Sequence, residues 1–297
     1  MGVKGYKAFN KGMICRGKQY EENATYEENG NEICEAGVMH FCENPFDVLN
    51  YYPLVDGNGG ISDFADVEAI GDIYKEKDKT ATNKLHIGAK LGLKGFIKAC
   101  VDFTIEKTRV ESGKDNETDS SGYSAQIGSS GDSAQIGSSG NFAKIGSSGD
   151  SAQIGSSGYS AQIGSSGDSA QIGSSGYFAK IGSSGNFAKI GSSGYFAQIG
   201  SSGDSAQIGS SGYFAKITSK GKHSVVMAAG YNSIAKAKIG SWITLAEWIR
   251  TDKTDDSDNY IWIPKCVKTE CVDGERIKED VFYKLVDGEF KEVESEE

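Results

Sequence analysis

Between Ser120 and Thr218 the apolar positions fall on a nine-residue frame, Ser-Ser-Gly-x-x-Ala-x-Ile-Gly, repeated eleven times without an insertion. Ala and Ile stand two apart, so they share one face of a short strand. That face is expected to point inward, into a space narrow enough to want Ala beside Ile. The Gly-Ser-Ser-Gly between strands suits tight corners. A unit this short buries its apolar face only by stacking on its neighbours, so the pattern predicts a β-solenoid. The frame decays after Thr218: Gly221 and Gly230 keep the step, Val226 stands for Ile, and Ser224 and Ser233 stand for Ala. One further coil is expected, followed by exit.

The flanks follow other patterns. Lys7-Ala8-Phe9 and Gln19-Tyr20-Glu21 read as strands around a turn at Asn10-Lys11-Gly12, and Asn29-Gly30-Asn31 reads as another turn. Asn44-Pro45 is a helix start, with Phe46, Leu49 and Tyr52 on one face before Pro53. Phe64 to Ile70 alternates like a strand, and Asp72 to Lys84 is charged and expected to be exposed. Leu93 to Ile105 fits either helix or strand. Beyond the array, Trp242 to Trp248 reads as a strand covering the last coil. Tyr260 to Ile263 reads as a strand halted by Pro264, and Asp273-Gly274 and Asp287-Gly288 are hairpin signals. The expected fold is therefore mainly β: an α+β head (1–110), a linker (111–119), the solenoid (120–240) and a C-terminal β-meander cap (241–297). Terminal coils need caps because an open stack leaves strand edges unpaired.

The fourth and fifth positions of the unit change this picture. The fourth alternates between Tyr123, Asn141, Tyr159, Tyr177, Tyr195 and Tyr213 in odd copies and Asp132, Asp150, Asp168, Asn186 and Asp204 in even ones. An alternating nonapeptide implies a two-sided coil of eighteen residues, hence roughly five and a half coils and a rod of about 26 Å at the usual strand spacing. Tyr would stack on one edge and Asp or Asn on the other. Phe fills the fifth position at 142, 178, 187, 196 and 214, never in a copy carrying Asp. From Tyr177 onward, three Tyr-Phe pairs should face outward in register, an apolar strip of a kind monomers rarely expose. Either a partner or second copy covers it, or the head or tail folds back over it.

Charge narrows the partners. The net charge is −10, yet four Asp and four Lys within the array cancel, so the negative charge lies in the flanks. Nucleic acid is not expected, since phosphate binding needs clustered Lys and Arg. The start Met1 to Lys7 is polar, no run approaches membrane-spanning length, and Tyr6 stands where a myristoylation signal wants Ser or Thr. A cytoplasmic protein with free thiols at its six Cys is expected, with no membrane partner.

Candidate chemistry is sparse. Stacked Asp could hold Ca²⁺ as in β-rolls, but one Asp per unit and the break at Asn186 favour solvated carboxylates. The Thr-x-Thr ladder of ice binding is absent. Cys34, His40 and Cys42, with Cys15, form the one metal-like group, at a spacing that is not a standard zinc pattern. Cys266 and Cys271 read as buried or unpaired thiols. No metal and no cofactor is expected, and the Gly-Ser-Ser-Gly corners lack the Lys of a phosphate loop.

Lys7-Ala8-Phe9-Asn10-Lys11-Gly12-Met13-Ile14-Cys15-Arg16-Gly17 and the run from Cys34 through His40-Phe41-Cys42-Glu43-Asn44-Pro45 to Tyr52 resemble an uncharacterised family of phages and gut bacteria. Its members often continue into a nonapeptide array and a Trp-containing β tail. The resemblance implies a mobile-element setting, with a host factor (a defence factor among them) as a possible target of inhibition, and no established activity. Gly37, Met39, His40 and Pro45 resemble part of an ADP-ribosyltransferase-like fold, with His40 displaced by one and no catalytic Glu assignable. The array is also similar to the small-residue β-rolls of trimeric autotransporter heads, without their signal peptide and anchor.

Together these readings predict a non-enzymatic protein whose rigid solenoid presents a surface to a protein partner or a second copy. The expected contact residues are Tyr177, Phe178, Tyr195, Phe196, Tyr213 and Phe214, with Lys180 and Lys216 as a charged fringe. Two alternatives stand beside it. One is an enzyme with its centre near Arg16 and His40 and the array as spacer. The other is a structural filament or surface component.

Overall fold

A computed structural model of the chain describes residues 2–30, 37–55, 60–76, 78–108, 117–120, 122–254 and 260–294. In the head, β1 (Val3–Phe9), β4 (Ala24–Glu27), β6 (Asp63–Ala69) and β9 (Lys84–Leu91) form one antiparallel sheet in the order β1-β6-β9-β4. A hairpin of β2 (Ile14–Cys15) and β3 (Lys18–Gln19) and a three-stranded sheet of β5 (Met39–Phe41), β7 (Ile73–Lys75) and β8 (Thr80–Thr82) complete it. The stretch expected to be charged and exposed thus contains two strands, and Thr80, Ala81 and Thr82 are buried where β8 lies between its neighbours.

Asn44 caps the expected turn of helix, its side chain accepting from the Phe46 amide at 3.1 Å, but Pro45–Asn50 is a 3-10 helix. Leu93–Thr108 is α-helix (α1). Leu93, Phe96, Ile97, Cys100, Val101 and Thr104 are all buried, the spacing of one helical face. The strand alternative fails because this stripe needs a 3.6-residue period.

The solenoid has two parallel sheets. One stacks β10 (Glu117–Ser120), β12 (Gln135–Ser138), β14 (Gln153–Ser156), β16 (Gln171–Ser174), β18 (Lys189–Ser192), β20 (Gln207–Ser210) and β22 (Val225–Ala228). The other stacks β11 (Gln126–Ser129), β13 (Lys144–Ser147), β15 (Gln162–Ser165), β17 (Lys180–Ser183), β19 (Gln198–Ser201), β21 (Lys216–Ser219) and β23 (Ile234–Lys236). Register partners differ by eighteen, as in Ile145↔Ile163↔Ile181. The stack is about seven coils, longer than the repeat count suggested. Glu117–Ser120 already pairs with β12, so the linker expected through 119 gives up its last residues to the first coil. Residues 111–116 lie outside the described chain.

Ala and Ile fill the interior, the Ala of each full coil almost wholly buried. The first Ser of the unit also points in: Ser147, Ser165, Ser183, Ser201 and Ser219 have no exposed surface. The corner is therefore shorter than the Gly-Ser-Ser-Gly reading, which assigned Gly and that Ser to it. It is a turn from the unit's central Gly to Ala, as in Ala125 N–H to Gly122 O at 3.1 Å, and its fifth-position residue is left-handed. The central Gly is compulsory: a Cβ on Gly176 would stand 1.9 Å from the carbonyl oxygen of Gly158 in the coil below.

The last coil is closed by β24 (Trp242–Thr254), parallel to β22, and by β25 (Tyr260–Cys271), antiparallel to β24. Pro264 does not halt this strand. It lies opposite Trp248 at a register shift on an edge strand, where a missing N–H is tolerated. β26 (Tyr283–Val286) and β27 (Glu289–Glu292) close the second sheet through the expected Asp287-Gly288 hairpin. Asp273-Gly274 makes no hairpin between strands. Asp273 Oδ1 accepts from the amides of Glu275, Arg276 and Ile277 at 2.9, 2.9 and 3.0 Å.

Candidate functional sites on the solenoid edge and in the head

The head docks on one solenoid sheet. Outward glycines there leave room for α1: a Cβ on Gly182 would stand 3.0 Å from Ile97, and one on Gly164 would touch Ile97, Phe46 and Val101. The 3-10 turn supplies the polar side of this joint. Lys144 pairs with Asp47, Gln162 Nε2 donates to Asn50 at 3.4 Å, and Lys180 Nζ donates to the Leu49 carbonyl at 2.5 Å. Lys180 is therefore a half-buried joint residue, its ammonium disfavoured by burial, and not the fringe expected of it. Lys216 stands two coils further along the same column, half-buried and engaged. The opposite sheet is open, a shallow trough of about 1100 Å³ lined mainly by Gln, Ile and Gly.

Both edges are laddered. On the acidic edge each side chain accepts the backbone N–H eighteen residues on: Asp150 Oδ1 from Asp168 at 2.8 Å, Asp168 from Asn186 at 2.7 Å, and Asn186 from Asp204 at 2.9 Å. Stacking acids is tolerable because each satisfies an amide, and Asn serves the same geometry. Asn141 does this on the other edge, accepting from Tyr159 at 3.0 Å.

On the aromatic edge Phe178, Phe196 and Phe214 stack at 5.0 and 4.8 Å with planes 5° apart, and beside them Tyr195 lies 4.9 Å from Tyr177, tilted by 44°, and stacks on Tyr213 at 5.0 Å. The six expected residues thus share one edge; five are exposed, from Tyr177 at 49% to Phe214 at 37%, and Tyr213 is half-buried beside Trp248. The ladder is longer than expected. Below it run Phe142 and Tyr159, and above it Tyr231, Trp248 and Trp262. Tyr231 keeps the nonapeptide step after Gly230 and was findable; the two Trp come from the tail and carry no periodic signal.

The head holds a partly open cavity of about 370 Å³. Arg16 and Cys15 from the run 7–17 and His40 and Cys42 from the run 34–52 all line it, and Cys34 lies outside the described residues. Among the described residues no three His, Cys, Asp or Glu side chains converge as metal ligands. The cavity's chemistry centres instead on Lys7, 6% exposed, whose Nζ donates to the His40 carbonyl at 2.7 Å and lies 5.5 and 5.6 Å from the ring centres of Phe9 and Tyr20. Burial pulls its pKa down. Tyr52 donates to Cys15 Sγ at 3.1 Å, and burial holds the Cys42 thiol up at about 12. A strand lysine at an inward position gave no sequence sign of this role.

Residues 3–99 match the profile of a family described as a domain of unknown function, DUF7666. The match spans the head from β1 into α1, including the cavity and the docking turn, and stops short of the solenoid. No curated protein and no solved structure matches the chain. Among the described residues no helix is long and apolar enough to cross a membrane.

Proposed function

We propose that the solenoid is a rigid binding scaffold whose aromatic edge contacts another polypeptide. The observation that carries this is the continuous aromatic ladder, in which Tyr177, Phe178, Tyr195, Phe196 and Phe214 stay exposed and only Tyr213 is partly covered, by Trp248 of the tail. Ring orientation favours a protein surface over sugars or bases. Phe196 is stacked on both faces, and the outer sides of Phe178 and Phe214 meet the tilted rings of Tyr159 and Tyr231, an arrangement that leaves little open ring face for a base or sugar to stack upon. Backbone strain points the same way. Phe178, Phe196 and Phe214 hold φ of 56–57°, where Ser serves in sister corners. A left-handed aromatic costs about 1 kcal/mol, and Ser would leave the fold intact.

Replacing Phe178, Phe196 and Phe214 together by Ser is expected to abolish association with partner or second copy, read by pull-down and sedimentation, while the circular dichroism stays β-rich. Unchanged association with a folded triple variant would leave the ladder a structural device only.

A further inference from the structure

We infer that the head cavity is a binding site for a small ring-bearing anion, a carboxylate or phosphate whose charge is met by Lys7 and Arg16. This site is separate from the solenoid edge and stands or falls without it. Lys7 is a cation buried beside a backbone carbonyl and a thiol, and no carboxylate pairs with it among the described residues. A buried charge without a counter-charge is unfavourable, and a bound anion would supply one. The two other lysines at the cavity are already neutralised, Lys18 by Glu28 and Lys79 by Glu76. Arg16 is exposed at the rim, on a left-handed backbone (φ 50°) that places it beside the opening, and has no carboxylate partner among the described residues. The cavity therefore carries a surplus of two positive charges, one deep and one at the rim.

Its walls define the rest of the ligand. Tyr20, Phe41, Tyr51 and Tyr52 line the space, so an aromatic or planar ring fits beside the anionic group. About 370 Å³ lies at the small end of ligand pockets, room for a single ring with its acid and little more. Guanidinium and ammonium both recognise carboxylate and phosphate, and the cavity does not choose between them.

The test titrates the full chain at neutral pH and low salt with benzoate, phenyl phosphate and neutral benzyl alcohol, followed by calorimetry. At least one anion should bind saturably, with benzyl alcohol about tenfold weaker or worse, the loss of a charge-assisted contact. Which anion binds better identifies the acid group. Lys7→Met should weaken binding about tenfold or more, and Arg16→Gln, at the exposed rim, should weaken it several-fold without touching the fold. No saturable binding by the folded wild type up to about 10 mM, or equal affinity for benzyl alcohol, would overturn the site. Undiminished binding by Lys7→Met, or by Arg16→Gln if the first variant does not fold, would overturn it equally.

Discussion

Lys7 also makes a statement about stability. Its pKa falls below the ordinary 10.5 because burial disfavours the ammonium. Between the lowered folded value and 10.5 the unfolded chain binds more protons, so this group's contribution to stability rises with pH across that window. Below the window both states are protonated and the burial cost is fully expressed. Lys7→Met should therefore be more stable than wild type by about 1 kcal/mol where the lysine is charged, and that advantage should shrink as the pH climbs. Urea unfolding of both proteins, each also carrying Cys42→Ala so that the neighbouring thiol does not titrate, checks the sign at pH 7 and pH 10. An advantage that grows with pH would contradict the reading. Lys7 was invisible in sequence because a strand position records a side chain's direction and not what waits there. Arg16, His40 and Cys42 were visible as residue types, but only the fold shows that they line one cavity.

At the scale of the element, the unit's glycines look equivalent in sequence and are not. Gly176 sits where a Cβ would meet a carbonyl at 1.9 Å, Gly182 where it would press on Ile97, and Gly173 where it would meet nothing. Gly176→Ala should unfold its coil. Gly182→Val should cost about 1–3 kcal/mol through overpacking against the head. Gly173→Val, on the open sheet, should be neutral or stabilising by up to about 1 kcal/mol, since β-branched residues suit strands better than Gly. Thermal unfolding of the three variants separates these cases, and equal effects at 173 and 182 would mean the head does not dock there. The coil itself was legible: Ala-x-Ile gave the inward face and the Tyr/Asp alternation gave the eighteen-residue step. The docked face was not, because the outward Gln or Lys and Gly recur on both sheets, and only α1 and the Pro45 turn distinguish them. Lys180 was misplaced for that reason, its outward direction right and its covering unseen.

For the whole molecule, the two-sheeted coil makes phase matter more than length. The head binds one sheet, β24 continues the other, and the aromatic and acidic edges lie between them. Removing 184–201, one full coil, joins Ser183 to Ser202 and keeps every later residue on its own side. Phe178 would then stack directly on Phe214. Removing 184–192, half a coil, joins Ser183 to Ser193 and sends Tyr195, Phe196, Tyr213 and Phe214 to the acidic edge, away from Tyr177 and Phe178. Both deletions leave the inward Ala and Ile in frame, so both chains should keep a β-rich spectrum, since each coil rests only on its neighbours. The full-coil deletion should retain association, weakened by one rung of the ladder. The half-coil deletion should lose it although more aromatic side chains remain. Binding that instead follows the number of aromatics, whatever their edge, would show that the continuous ladder is not the contact surface.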